Sequence, residues 1–227
     1  GLAVLIPPIA AVVFSGMAHV GLGGDVAAAT ATSLAIGVCS ASLSVMLTWP
    51  LAQAAARRQG WSKLSSIAVV AGLVMPPAVL ATGWFLLLTR FSTFAVPAPV
   101  LVIVMSTLMA LPFVYNALAA AIAASARQND RLCASLGISG AARFLRIDLP
   151  SLRRPLGFSF LMAAIVSLGD LTAITFFGSQ GFTTLPALIY RQMGSYRMET
   201  AAGTALILTV FTLALVMLAE RWSGRND

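Results

Sequence analysis

Asp170 is the one acidic residue that lies deep within an apolar stretch of this 227-residue chain. It follows Ser159, Ala163 and Ser167 at three- and four-residue spacing, which places the four residues on one face of a helix. A charged side chain at the centre of a bilayer costs roughly 2.5–3.5 kcal/mol on insertion scales, so such a residue usually faces the interior of a helix bundle. Two interpretations stay open. Ser167 and Asp170 line a translocation path in which the carboxylate attracts a cation, or Asp170 makes a structural hydrogen bond between helices.

Catalytic chemistry needs partner groups that the sequence does not supply. An intramembrane aspartyl protease requires a second aspartate in another span, and Ser167 replaces the first glycine of its Gly-x-Gly-Asp motif. A serine enzyme requires a histidine within the membrane, whereas the single histidine, His19, lies near the end of an apolar stretch and alone makes no metal site. The phosphate-binding pattern GxxxxGK[ST] is also absent from the sequence. We therefore expect a non-enzymatic chain with no catalytic residue, metal or cofactor of its own.

Residues 125–154 carry the strongest pattern for contact with a partner protein. Gly137 allows a sharp turn after a first helix, although an ordinary helix C-cap would use the same residue. Residues 141–147 can form a second short helix, which Pro150 is expected to stop. Arg143 and Arg146 would then project away from the membrane, either to touch a partner or only to hold the topology. A helix–turn–helix of this kind suits insertion into a groove of a partner.

The composition requires these residues to be positioned by membrane-spanning helices. Hydrophobic residues make up 59% of the chain and charged residues only 9%, against roughly 25% charged in soluble domains. This composition excludes most soluble folds and excludes disorder, and two cysteines make no disulfide framework. A span needs about 20 mostly apolar residues. We predict an all-α polytopic bundle of six spans, at about residues 2–20, 30–52, 64–88, 99–120, 156–177 and 200–219.

The distribution of cations predicts the orientation of these spans. Cytoplasmic loops of membrane proteins carry an excess of Lys and Arg. Eleven of the fourteen cations lie between spans two and three, between spans four and five, or after span six. The other three are Arg90, Arg191 and Arg197. Both termini and the long loop 121–155 are therefore expected in the cytoplasm.

The 125–154 segment resembles a family signature. Permease subunits of binding-protein-dependent ABC importers carry Glu-Ala-Ala, three residues, Gly, nine residues and Ile-x-Leu-Pro in a cytoplasmic loop. Gly137 and residues 147–150 (Ile-Asp-Leu-Pro) match this spacing, whereas residues 131–133 (Arg-Leu-Cys) replace the Glu-Ala-Ala triplet. The resemblance implies the type I importer permease fold and a loop that couples to a partner ATPase, which uses ATP and Mg. The coupling residues expected from it are Ser135, Leu136, Gly137, Ile138, Arg143, Arg146, Asp148 and Pro150.

Downstream stretches narrow the resemblance within this superfamily. Residues 133–138, 151–156, 167–186, 189–197 and 204–208 look like those of the thiamine ABC transporter permeases, which are fusions of two six-span halves. The chain looks like the second half, and we expect it to come from a longer precursor. The resemblance implies import of thiamine or its phosphates. The alternatives are an iron(III)-type or other small-solute permease of the same superfamily and, in a different class, an ion-coupled secondary transporter, which usually carries several polar groups in its spans.

The resemblance also implies partners and a location. The expected partners are an ABC ATPase on the cytoplasmic side, a periplasmic substrate-binding protein, the N-terminal permease half and membrane lipid, with no nucleic acid. Arg191, Tyr196 and Arg197 are expected to dock the binding protein, although tyrosines at this depth also serve as interfacial anchors. The expected location is the inner membrane, with multiple spans.

Overall fold

A computed structural model describes residues 2–19, 21, 23–57, 72, 74–90, 97–135, 137, 140–178 and 182–223. The predicted all-α class is confirmed, because the described residues form helices joined by short connectors and contain no strand. In chain order the α-helices are α1 (Leu2–Ala18), α2 (Gly24–Arg57), α3 (Pro77–Arg90), α4 (Ala98–Ser135), α5 (Gly140–Arg143), α6 (Leu149–Leu168), α7 (Thr172–Phe177), α8 (Leu185–Gly194) and α9 (Met198–Ser223). A π-turn, Phe144–Asp148, joins α5 to α6.

Four of the described helical stretches are long and apolar enough to cross a membrane. They are Gly24–Ala56, Ala98–Asn129, Phe144–Leu168 and Met198–Trp222. The first predicted span forms the 17-residue helix α1. The first part of the third lies mostly outside the described residues, and its second part forms the 14-residue helix α3. The membrane bundle is therefore confirmed, and the count of six spans stays a prediction.

Small residues on one face of α2 form the centre of the bundle. Their three- and four-residue spacing predicts a shared face, and all five are buried: Ser33, Gly37, Ser40, Ser44 and Thr48. The Ser44 hydroxyl donates to the Ser40 carbonyl oxygen at 2.8 Å and lies 3.3 Å from the Thr107 carbonyl oxygen of α4. In lipid no hydrophobic effect drives helices together, because the lipid tails are as apolar as the side chains. Small side chains then allow close packing of the helix backbones. The central packing of α2, α4 and α6 follows from this face.

An apolar cluster fills the space between these three helices. Ala41 and Ala52 from α2 meet Val114 and Leu118 from α4, together with Leu152 from α6. The outer helices α1 and α9 cross at Gly16, where an added Cβ would lie 2.8 Å from the Ala202 carbonyl oxygen. Glycine is required at this crossing because a side chain would collide with the backbone of α9.

The fifth predicted span is not one continuous helix. α6 ends at Leu168, and α7 begins at Thr172 after a break of three residues. Gly169 is a poor helix former, and the carboxylate of Asp170 accepts the backbone N–H of Thr172 at 2.9 Å. A side chain that satisfies a free N–H at the start of a helix favours a new helix over continuation of the old one. Asp170 therefore lies in a break between helices, and the prediction that it continues the helical face of Ser159 and Ser167 was wrong.

Candidate functional site

The turn after α4 places the expected coupling residues at one end of the bundle. α4 continues to Ser135, which is exposed, and Gly137 lies in the following turn with φ +66°. This left-handed conformation is accessible to glycine at little cost. Leu136 and Ile138 lie outside the described residues, so their predicted roles are untested. Most of the predicted loop 121–155 is helical, since it contains the end of α4 and the start of α6.

The second short helix of this segment differs from the prediction in two respects. Residues 141–147 fall partly in α5 and partly in the π-turn, which continues directly into α6. Pro150 does not stop a helix, because it lies in the first turn of α6. Proline fits the first turn of a helix because its fixed φ near −65° matches the helical backbone.

Arg143 does not project freely from the segment. Its Nε lies 3.5 Å from Asp148 Oδ2, and the two side chains are only 15% and 8% exposed. The predicted projection of Arg143 was therefore wrong, because a buried carboxylate five residues later attracts the guanidinium inward. Arg146 is exposed, as predicted.

Polar and aromatic contacts connect the π-turn to the spanning helices. Ser151 donates its hydroxyl to the Asp148 carbonyl oxygen at 2.9 Å and lies 3.2 Å from the Ser125 hydroxyl of α4. Phe144 packs edge-to-face on Trp49 of α2, with ring centroids 5.4 Å apart. The segment is thus attached to α2, α4 and α6 at once, and a movement of any of these helices reaches it directly.

Asp170 lies at the junction of three elements. Its Oδ1 accepts the N–H groups of Thr172 and Ala173, at 2.9 and 3.4 Å, and its Oδ2 accepts the hydroxyl of Ser106 at 3.2 Å. Ser106 belongs to α4 and is 1% exposed. The carboxylate therefore starts α7 and holds it against α4. These contacts match the structural interpretation of Asp170. The side chain is also partly exposed, and its place in a translocation path stays a prediction.

Ser167 lies close to Asp170 in the chain but makes none of these contacts. It is buried, and its hydroxyl has no hydrogen-bond partner among the described residues. The buried hydroxyls of Ser159, on the same helix, and Thr48, on α2, share this condition. Buried hydroxyls without a partner are uncommon, which singles out this face of α6 as a polar surface inside the bundle.

Arg191 and Arg197 line one pocket, which lies where α8 turns into α9, at the opposite end of the bundle from the Gly137 turn. This Arg191 pocket has a volume of about 380 Å³ and is also lined by His19, Asp25, Gln192 and Thr200. Tyr196 is 90% exposed beside it and adopts a positive φ of 59°, which is uncommon for a residue with a side chain. Tyr196 and Arg197 therefore lie on the connector between α8 and α9, Arg191 lies in the last turn of α8, and the two arginines share a concave surface.

A contact between distant residues lies beside this pocket and was missed by the sequence analysis. His19 Nε2 lies 3.0 Å from Glu199 Oε2, which connects the end of α1 to the start of α9. The Thr204 hydroxyl donates to Gln192 Oε1 at 2.9 Å and connects α9 to α8. A separation of 180 residues between His19 and Glu199 leaves no local pattern, and only their shared position at span ends could have suggested the pair.

Comparisons with known proteins agree with this architecture. A protein family described as "Binding-protein-dependent transport system inner membrane component" matches residues 44–225. The thiamine transport system permease protein of Brucella abortus is 45% identical over 195 residues, covering 85% of this chain and 36% of the relative. That of Escherichia coli is 34% identical over 234 residues, covering 99% of this chain and 44% of the relative. That of Haemophilus influenzae is 38% identical over 201 residues, covering 86% and 37%.

The chain therefore spans less than half of the length of each of these relatives. The family match covers both the 137–150 segment with its glycine turn and the α8–α9 connector with its pocket. The match and the apolar helices agree that this is a multi-pass inner-membrane transport component. The chain belongs to the family of binding-protein-dependent transport system inner membrane components.

Proposed function

We propose that the chain is a permease part of an ATP-driven importer that moves thiamine or thiamine phosphates into the cytoplasm. The observation that carries this proposal is the similarity to thiamine permeases, which extends over 85–99% of the chain. The break at Asp170 supports the cationic form of this ligand, since a partly exposed carboxylate attracts a cation. The chain would work together with an N-terminal permease half of the same precursor.

The two ends of the bundle suit two partners. Under the orientation that the cations favour, both termini and the 137–150 segment lie in the cytoplasm, where an ABC ATPase would bind and hydrolyse Mg-ATP. The Arg191 pocket would then lie on the periplasmic side and accept a substrate-binding protein. ATP binding would bias the spans towards one of two arrangements through contacts that differ between them.

Uptake by the complete transporter tests this proposal. Cells that lack their own thiamine uptake, supplied with the full-length permease, its ATPase and its binding protein, should accumulate labelled thiamine. A matched strain with an ATPase that cannot hydrolyse ATP should not. Uptake of labelled iron(III) in place of thiamine would favour the iron permeases, and dependence on an ion gradient without ATP would favour a secondary transporter.

A further inference from the structure

The ion pair between Arg143 and Asp148 joins residues five positions apart. On an α-helix the neighbouring side chains are three and four residues apart. Residues five apart point roughly 140° away from each other, because each residue turns the helix by about 100°. The 3.5 Å contact between Arg143 Nε and Asp148 Oδ2 is therefore a contact of the π-turn, and an α-helical turn would separate the two groups.

The backbone of this turn has the matching hydrogen bond. The N–H of Leu149 donates to the carbonyl oxygen of Phe144, which is the five-residue bond of a π-helix. The ion pair and the backbone bond thus span the same wider turn. Because the Asp148 side chain is 8% exposed, solvent screens the pair only weakly.

The pair lies beside residues of two membrane helices. Gln53 and Ala56 of α2 line the small pocket beside it, as do Ile122 and Ser125 of α4. The edge-to-face contact of Phe144 with Trp49 lies at the other end of the turn. The register of the π-turn therefore decides how the exposed residues of α5 and the Gly137 turn are directed relative to the membrane helices.

We propose that Arg143 and Asp148 are positioning residues, which hold the turn in its π register and so set the direction in which α5 meets the ATPase. This inference rests on the proposed function of the chain as a permease driven by a separate ATPase. Loss of the pair would let residues 144–148 relax towards an α-helical turn. α5 would then rotate relative to α6, and less solute would be transported per ATP hydrolysed.

A double variant separates positioning from stability. Arg143→Met with Asp148→Leu removes both charges, so that neither is left buried without its partner, and hydrophobic replacements of buried pairs are often neutral or stabilising. In the complete transporter in proteoliposomes, thiamine transported per ATP hydrolysed should fall by about fivefold or more, the lower range of coupling between sites. Membrane insertion and thermal stability should stay at the wild-type level. Arg127→Ala, which removes an exposed cation near the same end of α4, is the matched control and should keep the wild-type ratio.

A distance measurement reports the register itself. Spin labels on the exposed residues Gln128 and Ala142, in a variant without Cys39 and Cys133, should shift their separation by roughly 5 Å in the double variant, since one residue of register turns a helix face by about 100°. An unchanged separation together with an unchanged transport ratio would overturn the inference. If the unaltered transporter moves no thiamine but still couples ATP hydrolysis to another solute, the substrate proposal fails and the same comparison tests the pair with that solute.

Discussion

Ser106 on α4 donates its hydroxyl to Asp170 at 3.2 Å, so a buried serine holds the only carboxylate that interrupts the fifth span. The other carboxylate oxygen accepts the N–H of Thr172 and starts α7. One side chain therefore both starts a helix and ties the break to a neighbouring helix. A transport step that moves α4 against α6 and α7 must keep or exchange this hydrogen bond.

Replacing Asp170 by Asn tests whether the charge acts on the ligand. The amide oxygen can still accept the N–H of Thr172, but a bond to a charged group is stronger than a neutral one by about 1 kcal/mol, so a modest loss of thermal stability is expected. If Asp170 lines the path, uptake of cationic thiamine should fall more than uptake of thiamine diphosphate, whose net charge is negative. Initial uptake rates of the two labelled ligands are the measurement.

Ser106→Ala is the matched control for Asp170→Asn. It removes the cross-helix hydrogen bond at 3.2 Å and leaves the carboxylate charge in place. Uptake of both ligands should then fall in equal proportion, through packing alone. Equal losses in both variants would assign Asp170 to structure, and unchanged uptake in both would remove the residue from the functional site.

Gly137→Val should impair coupling through backbone strain. At φ +66° a residue with a Cβ costs roughly 1–2 kcal/mol, and a β-branched residue more than others. Collision is not the cause, because an added Cβ would meet nothing within 4 Å among the described residues. ATPase stimulation by the binding protein should fall while insertion into the membrane stays normal.

Gly137→Asn distinguishes the turn from the residue. Asparagine tolerates the left-handed conformation, so this variant should retain most of the coupling that valine abolishes. Wild-type ATPase stimulation and transport in the valine variant would reduce Gly137 to an ordinary helix cap. Equal damage by both substitutions would point to a need for close approach of the partner, which any side chain blocks.

Two exposed positions test the orientation that eleven cations predict. Single cysteines at Gln128 and at Tyr196, in a variant without the native cysteines, lie at opposite ends of the bundle under the predicted topology. A membrane-impermeant thiol reagent should label position 128 only from the cytoplasmic side and position 196 only from outside. The reverse labelling would overturn the orientation and exchange the sides assigned to the two proposed partners.

The sequence predicted correctly two features that depend only on residues close together in the chain. The buried face from Ser33 to Thr48 and the turn at Gly137 are local patterns, and both are present. The break at Asp170 and the inward position of Arg143 were not predicted. Each depends on a contact that a regular helix would not form, with Ser106 for Asp170 and with Asp148 for Arg143. A π-turn in particular has no signature at this level, because its five-residue contacts conflict with the helical spacing used to find faces.

The Arg191 pocket leads to the most demanding prediction, which concerns the binding protein. Charge reversals at its two arginines, Arg191→Glu and Arg197→Glu, should each weaken docking by about 0.5–1 kcal/mol, mainly through slower association, if the partner surface is acidic. The measurement is the dissociation constant of the purified binding protein for the complete transporter in nanodiscs, at low and high salt. Because exposed charges are screened, wild-type affinity should fall as salt increases, and this dependence should shrink in the double reversal.

Arg90→Glu gives the matched control for these reversals. Arg90 is the third cation on the predicted outer side, is exposed at the end of α3 and lies outside the pocket. The same loss of positive charge there should leave docking nearly unchanged, because the proposed contact needs the concave surface between α8 and α9 and not the overall charge of that side. If all three reversals weaken binding equally, attraction is a long-range effect of net charge. If Arg191 and Arg197 have no effect while Tyr196→Ala alone does, the connector docks through an aromatic contact, and the pocket serves another purpose.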